Sequence, residues 1–203
     1  MPGTGKTALA RHLADELGRE LIVKQISELL NCYVGNTEKN IAACFDEAER
    51  DGAVLLLDEA DSLLFPRQEA FRSWEITQVN QFLTMLDNCR TWCICTTNHR
   101  LRMDGAAMRR FSFKREFVYA RPEQAEELYE LLLGELAAQP LSHDQRSLLR
   151  SLGEITPGDF HAVRMQYHFA DAHSVSFETL LKALTEEQRG HLERGHRDIG
   201  FSV

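Results

Sequence analysis

The chain has 203 residues, 43% of them hydrophobic, enough to bury a core and suited to one α/β domain with a smaller companion. Thirty-one acids against 23 bases leave a formal charge of −8, a balance that gives no support to a broad nucleic-acid footprint. No apolar run reaches the roughly 18 residues that would span a bilayer and no signal peptide is evident, so a soluble, cytoplasmic protein without a membrane segment is expected.

The chain opens Met1-Pro2-Gly3-Thr4-Gly5-Lys6-Thr7, and Gly5-Lys6-Thr7 supply the last three fixed positions of the phosphate-binding pattern G-x-x-x-x-G-K-[ST]. The first glycine of that pattern would fall one residue before Met1. Backbone N–H groups from Gly3 to Lys6 can cradle phosphates, Lys6 can reach the β- and γ-phosphates, and the Thr7 hydroxyl can bind Mg²⁺. Pro2, Gly3, Thr4, Gly5, Lys6, Thr7 and Ala8 are thus the candidate nucleotide-binding stretch. A helix over 8–17 follows, closed by Gly18, with Leu9, Leu13 and Leu17 at helical spacing and its positive dipole end toward the phosphates. A strand over 20–26 comes next, then Leu29 to Gly35, where apolar side chains run into a glycine. Ile41, Cys44, Phe45 and Ala48 make one apolar stripe of a helix over 37–50.

Val54-Leu55-Leu56-Leu57 run directly into Asp58-Glu59-Ala60-Asp61. Such an apolar run reads as a strand buried on both faces of a parallel sheet, which puts its acids at the carboxyl edge, where open α/β sheets bind ligands. A helix over 74–86 and a strand over 91–97 follow, and Asn98 stands at the same edge as Asp58 and Glu59. A short helical segment over 106–110 leads to a further strand over 113–119. Alternating strands and helices predict a parallel sheet with crossover helices. Cys93 and Cys95 share one face of their strand. With Cys32, Cys44 and Cys89 they read as small buried hydrophobes, since no second Cys or His pair has zinc-like spacing.

From Arg121 the pattern is helical only. Helices are expected over 122–136, with Ala125, Leu128, Tyr129 and Leu132 on one side, and over 144–152. Thr156-Pro157-Gly158-Asp159 is a strong helix start, with Phe160, Val163, Tyr167 and Ala170 as its apolar stripe. A last helix over 176–187 precedes a charged tail. The organisation read from this is an α/β core over 1–120, an all-α lid over 121–188 and a tail over 189–203.

With these pieces placed, the chain resembles the AAA+ ATPases, a P-loop NTPase family, from Pro2 to about Ala172. Residues 2–7 are similar to their phosphate loop and 55–61 to their acidic strand. Residues 30–40, with Tyr33 and Val34, resemble the aromatic pore loop and following helix of classical hexameric members. Thr96-Thr97-Asn98 resembles the polar sensor strand, and Met108-Arg109-Arg110-Phe111 the arginine-finger segment. The resemblance implies ATP as ligand, with Mg²⁺ held by Thr7 and Asp58, and Glu59 as the base that activates water. Asn98 would hold that water or sense the γ-phosphate, and Arg109 or Arg110 would reach a nucleotide on the next subunit of a homo-oligomer, expected to be a hexamer. A finger of this kind is worth roughly 10³–10⁵ in rate.

Departures matter too. The arginine segment lacks the usual Pro-Gly spacer, which leaves open which arginine is the finger. His161 stands where many relatives carry a second sensor arginine. The strand that precedes the phosphate loop in the family is missing, so Met1 is expected to be internal to a longer protein. The function expected is ATP-driven remodelling of a protein substrate threaded past Tyr33. The alternatives are a hydrolysis-deficient scaffold or truncated subunit and, less favoured, a nucleic-acid motor.

Overall fold

A computed structural model describes residues 3–29, 36–65, 73–98 and 103–196. Two compact units are present: Lys6–Glu116 form one, and residues 3–5 together with the chain from 117 onward form the other.

In the first unit, α1 (Lys6–Glu16) leads to β1 (Leu21–Gln25), α2 (Ile26–Leu29), α3 (Asn36–Asp51), β2 (Val54–Asp58), α4 (Asp61–Leu64), α5 (Ser73–Asn88), β3 (Cys93–Cys95) and α6 (Gly105–Arg110). The sheet is parallel, ordered β1-β2-β3, with Leu21 opposite Val54 and Leu57 opposite Cys95. β2 is central, and Val54 to Leu57 are all at most 1% exposed, as a strand with a ladder on both edges and helices on both faces requires. Ile41, Cys44, Phe45 and Ala48 of α3 pack into the same core with Val79, Phe82 and Leu83 of α5.

One expectation is corrected here. Residues 113–119, expected as a strand, form none among the described residues, with Phe113 77% and Val118 63% exposed. Their backbone has no ladder partner among the described residues, and residues that favour strands do not make one by themselves. α1 buries Ala10 and Ala14, while Leu9, Leu13 and Leu17 are 37–40% exposed; two alanines let the helix lie close to the strands. After the acidic strand, α4 forms because a helical turn buries both Leu63 and Leu64.

The second unit holds α7 (Pro122–Leu133), α8 (His143–Ser151), α9 (Pro157–Gln166) and α10 (Phe177–His196), the last continuing past its expected end at 187. Ala125, Tyr129, Leu133, Phe160, Val163, Leu180 and Leu184 form its core. α9 starts as its sequence dictates: the Asp159 carboxylate accepts from the Thr156 N–H at 2.7 Å and the Thr156 hydroxyl at 2.9 Å. Within this unit the Gly158 N–H donates to the Gly3 carbonyl at 2.8 Å. A methyl group on Gly158 would sit 2.8 Å from the Gly3 Cα, so this approach requires glycine. No helix among the described residues is long and apolar enough to cross a membrane.

Candidate functional site

Gly3 and Gly5 take φ values of +71° and +90°, a left-handed backbone that glycine adopts without strain, and α1 begins at the next residue, Lys6. Successive turns of this kind present backbone N–H groups toward one point, the geometry of an anion nest. Lys6 and Thr7 then stand on the first turn of α1, and both reach across to the sheet's carboxyl edge.

The Lys6 ammonium donates to Asn98 Oδ1 at 2.8 Å, and the Thr7 hydroxyl donates to Asp58 Oδ2 at 3.0 Å. The second oxygen of Asp58 accepts from the Thr96 hydroxyl. That hydroxyl also accepts from the Glu59 N–H at 3.1 Å, the Thr96 carbonyl accepts from the Ala60 N–H at 2.9 Å, and Thr97 donates to Asp61. Burial holds the Lys6 ammonium below its ordinary pKa, while the nearby carboxylates of Asp58, Asp61 and Glu59 pull in the opposite direction. A half-buried lysine facing three acids is a site built to balance positive charge against negative.

Lys6, Thr7, Asp58 and Asn98, all read from the sequence, are thus brought together, with Glu59 exposed at the same edge. Ala8 is exposed on the first turn of α1 and adds only backbone. Pro2, Tyr33 and Val34 lie outside the described residues. Arg109 and Arg110 end α6, whose start is capped by the Asp104 carboxylate, which accepts from the Ala106 N–H at 2.6 Å. The two arginines differ. Arg110 pairs with Asp87 at 2.8 Å and donates to the Ala106 carbonyl at 3.0 Å, whereas Arg109 is exposed and has no ion pair among the described residues.

Thr96, Thr97 and Asp61 stand inside the motifs read from the sequence but are given no role of their own there. A register argument finds the first of them: with Leu57 opposite Cys95, one step further along both strands sets Asp58 beside Thr96. The oxygen donors fit a hard divalent cation, because a hydroxyl and a carboxylate 3.0 Å apart suit Mg²⁺ coordination completed by phosphate and water.

The profile of the ATPase family associated with various cellular activities (AAA) matches residues 1–119, which span this whole arrangement. The chain belongs to the AAA family. Among curated AAA relatives, Protein SAV of Sulfolobus acidocaldarius is 31% identical over 188 residues, covering 90% of this chain and 23% of that protein. Spastin of Drosophila melanogaster is 33% identical over 165 residues, covering 77% of this chain and 21% of that protein. The chain spans about a fifth to a quarter of the length of these relatives.

Proposed function

We propose that the chain binds ATP with Mg²⁺ and hydrolyses it, using a core over 1–120 and a lid over 121–188 that precedes a tail over 189–203. The observation that carries this reading is the pair of cross-links from the first turn of α1 to the sheet edge, Lys6 to Asn98 and Thr7 to Asp58. Lys6 and Asn98 are close enough to share one γ-phosphate oxygen, and Thr7 and Asp58 to share one cation. Bound Mg²⁺ would neutralise charge on the β- and γ-phosphates. Glu59, exposed at the strand end, takes the proton of the attacking water, and Asn98 orients that water or the γ-phosphate.

The second part of the proposal is assembly. Arg109, without an ion pair among the described residues, reaches the nucleotide of the next subunit in a hexamer, while the Asp87 pair keeps Arg110 at home as the support of α6. Tyr33 and Val34 grip a protein substrate in the central pore of that ring; the sequence alone supports this step.

Turnover and nucleotide affinity measured side by side test the site. Glu59→Gln is expected to bind ATP as the parent does and to lose about 10²–10⁴ in rate. Arg109→Ala is expected to lose turnover while Arg110→Ala loses stability first. Parental turnover in Glu59→Gln would remove Glu59 as the base.

A further inference from the structure

Glu59 has a φ of +55°, in the left-handed region that a non-glycine residue rarely occupies, and it occupies it at the position proposed to activate water. Such a conformation persists only where its surroundings over-determine it. The surroundings here converge on one side chain. Thr96 is 4% exposed, and its hydroxyl accepts from the Glu59 N–H at 3.1 Å while donating to Asp58. Its own backbone is fixed on both sides, the N–H donating to Leu57 at 3.0 Å and the carbonyl accepting from Ala60 at 2.9 Å. One buried hydroxyl therefore ties together the carboxylate that faces Thr7 and the backbone of the acid that follows it.

We propose that Thr96 is the positioning residue of this site: through its hydroxyl it fixes the left-handed turn at Glu59 and the rotamer of Asp58, and so sets the angle between base and cation ligand. This rests on the proposed roles of Glu59 and Asp58. The hydroxyl is needed in a single orientation, because donating to Asp58 leaves its lone pairs for the Glu59 N–H. A serine could do the same; an isosteric valine could do neither.

The test compares Thr96→Val and Thr96→Ser with the parent 203-residue chain, reading kcat and KM for ATP in Mg²⁺ together with hydrogen exchange at the Glu59 amide. Thr96→Val is expected to lower kcat about tenfold or more, with KM for ATP changed less than about threefold, because orientation and not binding is lost. Exchange of the Glu59 amide is expected to quicken about tenfold in the same variant, a readout that requires no turnover. Thr96→Ser is expected within about twofold of the parent in every quantity. Parental Glu59 exchange in Thr96→Val, or a Thr96→Ser variant as impaired as Thr96→Val, would overturn the proposal. Glu59→Gln run alongside separates the two ideas: if it is inactive while Thr96→Val is fully active, the positioning role alone fails. If Glu59→Gln turns over normally, the proposed chemistry fails, and the positioning role fails with it.

Discussion

β2 and the stretch 113–119 are both rich in large apolar side chains, yet Val54 to Leu57 are at most 1% exposed and Phe113 is 77% exposed. The difference lies in the backbone. β2 has a parallel neighbour on each edge, so its N–H and C=O groups are satisfied and its side chains can be sealed in; 113–119 has no ladder among the described residues. A partner for the polar groups is the condition for burying the apolar ones, and the candidate site has grown where that condition is met, at the end of β2.

The sharpest way to break this comparison is truncation of a side chain in each region. Leu56→Ala, at the centre of the sheet, is expected to cost about 2–5 kcal/mol in denaturant unfolding. Equal effects at Leu56 and Phe113 would contradict it.

Tyr129 of α7 sharpens the comparison from the other side, being 1% exposed with a hydroxyl that has no hydrogen-bond partner among the described residues. Burial, with the Glu178 carboxylate adding to it, pushes its pKa from the ordinary 10 up to about 12. Between those values the unfolded chain has lost the phenolic proton and the folded chain retains it, so stability falls as pH rises. The loss approaches about 2–3 kcal/mol by pH 12 and is absent below pH 10. Tyr129→Phe is expected to abolish this contribution, and to gain about 1 kcal/mol at neutral pH by removing an unpaired buried hydroxyl. A pH profile identical in parent and variant would contradict the buried, unpaired state. The smallest effect is expected at Phe113→Ala, within about 0.5 kcal/mol of the parent.

The features legible in the sequence are those in which one residue type has one physical use. Gly5-Lys6-Thr7 and the Leu57-Asp58 junction specify their own chemistry, and Thr156-Pro157-Gly158-Asp159 specifies its own helix start. The apolar stripes of α3 and α9 were readable because Ile41, Cys44, Phe45 and Ala48, and Phe160 and Val163, are the residues these helices bury. Thr96 was not, because a threonine at a strand end is common and its meaning depends on the register between β2 and β3. Spacing has a related limit in α1: it shows that Leu9, Leu13 and Leu17 share a face, not which face the sheet receives. The stretch 113–119 has strand-forming residues, but residue type alone does not show whether a ladder partner stands beside them.

The central claim is that the first turn of α1 and the end of β2 together hold a nucleotide and its cation. Titration of a fluorescent ATP analogue into the parent chain and Lys6→Ala, with and without Mg²⁺, tests it most directly. Saturable binding by the parent that tightens with Mg²⁺ and is lost in Lys6→Ala is the result predicted; equal affinity in parent and variant would contradict it.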